Sequence, residues 1–219
     1  MTKIRLPLPR KLTAMSVEEA LLLRRSVRSF LDDPLTLDEL SLLLWAAGGR
    51  VGKEENRRTA PSAGATYPLL ILCFVGPNSI VGGQRIDAGV YRYEWKDHSL
   101  EMIIEGDRRK ELARAALGQR FIYEAPISIA IFADYSKTTR YYGERGYRYV
   151  HMEAGHVGEN IYLMATALNL GTVAVGAFDD EEVMRITGIK ELPLYIFPIG
   201  RPRLNERRTL EADEMLMQR

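Results

Sequence analysis

Residues 24–28 read RRSVR: three arginines and a serine within five positions, with Asp32 the next acidic residue downstream. A phosphate monoester carries nearly two negative charges and three acceptor oxygens. Arginine meets it with a planar fork of donors that stays protonated, and a serine hydroxyl adds a neutral donor. The segment therefore supplies two kinds of phosphate donor side by side. Basic residues at a helix end also complement the macrodipole, so the segment alone leaves a structural role open. Three further segments bear on the choice. RTAPSAGATYP (58–68) has small residues that let backbone approach a flat ligand closely. GTVAVGAFDDEEV (171–183) ends a strand in small residues before a helix, and the tail PIGRPRLNERRTL carries Arg201, Arg203, Arg207 and Arg208.

Other chemistry is poorly represented. HMEAGH offers His151, Glu153 and His156 as metal ligands. At about 100° per residue, His151 and Glu153 lie nearly opposite on a helix and the two histidines are about 140° apart, so the three do not converge on one ion. The sequence contains no P-loop pattern, no G-x-G-x-x-G after a strand and no G-x-S-x-G elbow.

The elements that must position these residues can be read from caps and periodicity. Ser16 and Glu19 have capping-box spacing ahead of VEEALLLRR, which predicts a helix over about 17–25 with RRSVR at its C-terminal end. Thr36 and Glu39 repeat the spacing before LDELSLLLWAAGG, a second helix closed by Gly48 and Gly49. Residues 50–66 read as one long loop. LLILCFV (69–75), APISIAIFA and LYIFPIG are buried-strand candidates. GVYRYEW and SLEMIIE form a hairpin around KDH, and TVAVGAF is a further strand. DRRKELARAALGQ, about 147–169 and DEEVMRITG read as helices. Helices first, then strands, then a long helix between strands predict an α+β fold in layers, with residues 1–219 as one domain.

Composition narrows the class. The chain has 219 residues, 46% hydrophobic and 27% charged, with a net charge of +1. That balance argues against a nucleic-acid binder. One cysteine, Cys73, excludes an internal disulfide framework. The first residues lack an apolar core of signal-peptide length, and no apolar run reaches about 18 residues. A cytoplasmic protein with no membrane partner is the expectation.

Taken in order, the four basic and small-residue segments resemble the nitroreductase family of flavin enzymes over about residues 16–208. RRSVR looks like that family's amino-terminal R-x-S-x-[RK] motif. APSAGATYP and YGERGYRYVHMEAGHVGENIYLMATALNLGT look more specifically like the SagB-type subfamily, which includes dehydrogenases that oxidise azolines to azoles in modified peptides. The resemblance implies an α+β fold with a mostly antiparallel sheet flanked by helices, in an entwined homodimer that binds FMN at the subunit interface. It implies that Arg24 and Ser26 bind the FMN phosphate, Arg25 lies along the phosphate and ribityl chain, and Arg28 sits near the pyrimidine edge. Pro61, Ser62, Gly64 and Ala65 match the loop that reaches the flavin from the partner subunit. Gly176 and Ala177 match the backbone stretch facing flavin N5, and Arg207 and Arg208, with Arg201 as a substitute, match basic residues that close on the phosphate.

One departure matters. Azoline dehydrogenases of this type carry a Lys-Tyr pair where this chain has Tyr141 and Tyr142. A phenol with an ordinary pKa of about 10 is a poor base at neutral pH. The expected activity is therefore hydride transfer between NAD(P)H and a small electron-poor acceptor, a quinone or nitroaromatic, with Tyr141 and Tyr142 as candidate catalytic side chains. Azoline oxidation and a non-catalytic flavin-binding subunit are the alternatives. A plain structural reading of YYGERGYRY is an aromatic helix start packed in the core.

Overall fold

The computed structural model describes residues 3–52 and 57–203. In chain order the elements are β1 (Lys3–Arg5), α1 (Val17–Leu23), β2 (Leu35–Thr36), α2 (Leu37–Gly48), a 3-10 turn (Ala63–Ala65), β3 (Leu69–Val75), β4 (Ile80–Val81), β5 (Gly89–Glu94) and β6 (Ser99–Glu105). They continue with α3 (Arg109–Ala115), α4 (Phe121–Glu124), β7 (Ile127–Ala133), α5 (Ser136–Tyr142), α6 (Arg145–Ala167), β8 (Gly171–Thr172), α7 (Asp180–Thr187) and β9 (Leu192–Gly200).

Seven strands form one sheet in the order β1-β6-β5-β3-β7-β9-β8, with every neighbouring pair antiparallel. The two short strands β2 and β4 pair in parallel beside it. Strand period explains the layers. Along β3, Leu69, Ile71, Cys73 and Val75 join one apolar cluster, while Leu72 and Phe74 join another. Along β7, Ile127, Ile129 and Ile131 alternate in the same way with Ala130 and Phe132. Both faces are covered, which is why these strands read as continuous apolar runs and not as alternating ones. Helices α2 and α6 cover the first face; α3, α4 and α7 cover the second. Cys73 is fully buried, and burial pushes its thiol up to about 12. Among the described residues no helix is long and apolar enough to cross a membrane.

Both predicted capping boxes form: Ser16 Oγ accepts from Glu19 N and Thr36 Oγ1 accepts from Glu39 N, with each glutamate returning to the cap backbone. Three expectations need correction, and two elements were not anticipated. Helix α1 stops at Leu23, because Arg24 takes an extended ψ of 127° and Ser26 enters a parallel bridge with Thr172. RRSVR is thus an extended segment laid against β8, not the end of a helix. TVAVGAF is not a strand along its length; beyond Thr172 it keeps a single bridge, Val175 to Ile196. The predicted DRRKELARAALGQ helix breaks at Ala116, and α4 follows after the left-handed turn at Leu117 and Gly118. Strand β1 and helix α5 have no counterpart in the sequence reading.

Gly171 is the packing point that lets the arginine segment reach the sheet. A Cβ there would lie 2.7 Å from the Cβ and Cγ1 of Val27, which is itself buried. Val27 N–H donates to the Thr172 carbonyl at 2.9 Å just beside it. We expect Gly171→Val to lower stability by roughly 1–3 kcal/mol through overpacking, measured by chemical denaturation. An unchanged denaturation midpoint contradicts this close approach.

Candidate active site

Helix α6 is the frame of the site. Its buried stripe runs through Val150, Ala154, Val157, Ile161 and Ala165, at helical spacing, with Glu153 and Tyr162 also buried. These two polar residues are nine positions apart. They therefore lie about 13–14 Å apart along the axis and about half a turn round it, on opposite flanks of the stripe.

Tyr162 holds the arginine segment. Its hydroxyl is 3.0 Å from Ser26 Oγ and accepts the Ala174 N–H at 2.8 Å. With one phenol lone pair taken by Ala174, the phenol hydrogen is available to Ser26 Oγ. In that direction the serine's own hydrogen is left for an anion. The Arg24 guanidinium lies over the Tyr162 ring, 5.1 Å from its centroid. Arg24, Arg25 and Ser26 are half-buried and Arg28 is exposed. Thr172, bridged to Ser26, has a buried hydroxyl with no hydrogen-bond partner among the described residues. Guanidinium groups, an available serine hydrogen and an orphaned buried hydroxyl are a donor set that fits a phosphate group.

Glu153 holds the second segment. Its Oε2 accepts the Ser62 hydroxyl at 2.5 Å, and Ser62 Oγ accepts the Tyr67 N–H at 2.9 Å. The intervening turn is strained: Gly64, Ala65 and Tyr67 all have left-handed φ, at 58°, 52° and 44°. Only one of them is glycine, and such conformations persist only where surrounding contacts enforce them. Thr66 Oγ1 is 2.8 Å from the buried Thr138 hydroxyl of α5. The Tyr142 hydroxyl packs directly over Gly64: a Cβ there would lie 2.6 Å from it. Arg58 at the loop's start stacks between Tyr67 and Trp95, 4.4 and 4.1 Å from their centroids. Burial lowers the Arg58 pKa, and its Nε has no partner among the described residues.

Glu153 is the site's perturbed acid. Burial is the largest influence and pushes its carboxyl up to about 7, against smaller opposing effects of the Ser62 hydrogen bond and the Arg58 charge. The two residues form no direct ion pair.

The remaining sequence candidates divide. Pro61, Ser62, Gly64 and Ala65 share the Glu153 loop, and Tyr142 reaches over it. Gly176 and Ala177 are exposed, and the Ala177 carbonyl is tied to Gln119 Nε2 at 3.1 Å. Tyr141 is 72% exposed, so YYGERGYRY is not a core-packed helix start. Arg201 is committed to the buried Glu39 carboxylate, with contacts of 2.8 and 3.0 Å. Arg207 and Arg208 lie outside the described residues. His151 and His156 are exposed while Glu153 is buried, and no acid, histidine or cysteine group among the described residues is arranged to hold a metal.

Sequence reasoning missed Tyr162, Thr172 and Arg58, and weighed Glu153 only as a metal ligand. The signal for Glu153 was present: a carboxylate three residues after Val150 and four before Val157 falls at the edge of an apolar stripe, on a face that buries.

A layered α+β fold with this donor set describes the flavin oxidoreductase class, and sequence comparison agrees. The model of the nitroreductase family matches residues 21–201, so the chain belongs to that family and is an oxidoreductase. A protein of Methanocaldococcus jannaschii, described by its name alone as a nitroreductase, is 52% identical over 187 residues, 85% of this chain and 91% of that protein. A trifolitoxin operon protein of Rhizobium leguminosarum bv. trifolii is 29% identical over 202 residues, 87% of this chain and 57% of its own length. A crystal structure from Ralstonia eutropha, also described as a nitroreductase, superposes with a TM-score of 0.76 at 29% identity, covering 92% of this chain and 90% of that one.

The raised pKa of Glu153 has a signed consequence. The folded chain holds this proton up to about pH 7, whereas the ordinary value is 4.5. Stability from this group is therefore fully present below about pH 4.5 and is lost as pH rises to about 7. The loss is at most on the order of 3 kcal/mol. Denaturation across that range should show a steeper decline for the wild type than for Glu153→Gln. Parallel curves contradict the burial of a titrating acid.

Proposed function

We propose that the chain is an FMN-dependent oxidoreductase that moves hydride between NAD(P)H and a small electron-poor acceptor of the quinone or nitroaromatic type. Family members generally bind flavin. The observation that carries the reading to this chain is the Arg24–Ser26–Tyr162 arrangement beside the orphaned Thr172 hydroxyl. When bound, the flavin supplies hydride transfer at N5. The protein's own residues bind and orient. Arg24 and Ser26 would hold the phosphate, and Arg25 would follow the ribityl chain. Arg28 would place a cation by the pyrimidine edge, where reduction builds negative charge. The Gly176–Ala177 backbone would face N5, and Arg207 and Arg208 would close on the phosphate.

We propose a homodimer as the working unit. The arginine segment and the Ser62 loop sit on opposite flanks of α6, with the helix between them. A second copy can bring its loop to the first copy's arginines, so one flavin would be held by both chains. Sedimentation of the loaded chain as a dimer at micromolar concentration is the expected result, and a stable loaded monomer contradicts it.

A SagB-type azoline dehydrogenase is the second reading, favoured by the trifolitoxin operon relative. Against it stands Tyr141 in place of the lysine of that subfamily, exposed on the single chain. Flavin-loaded protein should reduce quinones with NAD(P)H faster than it removes two hydrogens from a thiazoline peptide, as followed by mass. The reverse ranking would overturn the first reading. A gain of azoline oxidation in Tyr141→Lys would mark that position as the missing base.

The cofactor itself is tested by the absorption spectrum of purified protein and the mass of what it releases. Arg24→Ala should weaken FMN binding about ten- to a hundredfold, the worth of one charge-assisted hydrogen bond. A wild-type chain that is colourless and takes up no added FMN ends the proposal.

A further inference from the structure

We propose that Glu153, acting through the hydroxyl of Ser62, is the proton reservoir for the reduction of the acceptor. The inference rests on the flavin reading above, because Ser62 belongs to the loop assigned there to the flavin.

The geometry is that of a two-position relay. The Ser62–Glu153 bond is 2.5 Å long, and Ser62 Oγ also accepts the Tyr67 N–H at 2.9 Å. With Glu153 ionised, the serine hydrogen points at the carboxylate. With Glu153 protonated, the carboxyl hydrogen can occupy the same bond in reverse. Ser62 Oγ then accepts from both Glu153 and Tyr67, and its own hydrogen is turned outward. Reversing one short hydrogen bond thus presents or withdraws a proton on the loop surface, without moving a heavy atom.

The carboxyl is expensive to keep where it is. Glu153 is 5% exposed, at the edge of the apolar stripe of α6, and it has no direct ion pair among the described residues. The charge facing it is Arg58, which is flanked by the phenols of Tyr67 in the loop and Tyr93 in β5. A glutamine would accept the same serine hydrogen without the cost of burying a charge. The resulting pKa of about 7 is the value that suits a group giving and recovering a proton near neutrality. The Tyr142 hydroxyl lies over Gly64 in the same loop, so a second hydroxyl flanks the route.

The balance closes. A quinone-type acceptor needs one hydride, supplied by the bound reduced flavin, and one proton. As the acceptor oxygen takes the hydrogen of Ser62, Ser62 Oγ takes the hydrogen of Glu153. The O–H bond of Glu153 breaks, a carboxylate remains, and water returns its proton. Glu153 does not touch the acceptor and is a positioning and supplying residue; Ser62 makes the contact.

The test uses full-length wild type, Glu153→Gln and Ser62→Ala. Infrared pH titration of the flavin-free proteins should show a carboxyl band disappearing near neutrality in the wild type and missing from Glu153→Gln. After loading with FMN, Glu153→Gln should keep its flavin, and Ser62→Ala is compared at saturating FMN. Each should lose at least about tenfold in kcat for quinone reduction with KM little changed, and should lack the wild type's fall in rate as pH rises through about 7. A merely structural role is rescued by glutamine and leaves that limb in place. Wild-type kcat and pH profile in Glu153→Gln, or no carboxyl titrating near neutrality, overturns the relay while leaving the flavin reading intact. A wild type that takes up no flavin brings down both, and the infrared result then stands as a statement about the fold alone.

Discussion

The site depends on one helix being polar at two places where its packing calls for apolar residues. Helix α6 buries Val150, Ala154, Val157, Ile161 and Ala165 against the sheet, and that stripe fixes its rotation. Once it is fixed, Tyr162 and Glu153 have no choice of direction. One reaches the RRSVR segment and the backbone of Ala174; the other reaches the Ser62 turn. Two segments more than thirty residues apart in sequence are thereby held by a single rigid element. Hydrogen bonds from a packed helix locate a ligand-binding group better than a loop does by itself.

Several departures from low-cost structure lie beside that helix. Three left-handed residues lie between Gly64 and Tyr67, a carboxyl is buried at Glu153, a guanidinium is clamped at Arg58, and a hydroxyl goes unpaired at Thr172. Each costs on the order of 1–3 kcal/mol in isolation. Elsewhere apolar strands form an antiparallel sheet covered on both faces, with further left-handed residues at Asn78, His98, Leu117 and Asn169 and buried, unpartnered Arg92 Nε and Ser128 Oγ among the described residues. Around α6, strained backbone and buried polar groups occur together, the pattern of a binding site supported by its scaffold. Glu39 gives the contrast. It too is a buried carboxylate, but Thr36 and Arg201 satisfy it, and its role is to close α2 and tie the end of β9.

Much of the scaffold was legible. The Ser16 and Thr36 caps, the buried runs at 69–75 and in APISIAIFA, and the long helix all follow from local rules that tertiary contacts reinforce. Three of the failures share a physical cause, pairing with distant residues, while the break after Ala116 is a local left-handed turn at Leu117 and Gly118. RRSVR leaves the helix because Ser26 and Val27 find Thr172, about 145 residues away. TVAVGAF gives up most of its ladder because Ala174 N–H goes to a side chain, Tyr162. β1 exists only as a partner of β6. In the site, the arginines and the Pro61–Ala65 turn were visible as residue types. Their supports were not, since tyrosine at 162 carries no periodic or motif signal. Glu153 was legible as an anomaly in an apolar stripe, and reading it beside two histidines hid that.

The central claim is that the Arg24–Ser26 segment recognises a phosphate group on a flavin. Its most direct test is an equilibrium titration of flavin-stripped protein with FMN and, separately, with riboflavin, which has the same ring and lacks the phosphate. The account predicts that FMN binds at least about a hundredfold more tightly, since several charge-assisted hydrogen bonds are lost with the phosphate. It also predicts that Arg24→Ala narrows that ratio. Equal affinities for the two flavins would contradict it.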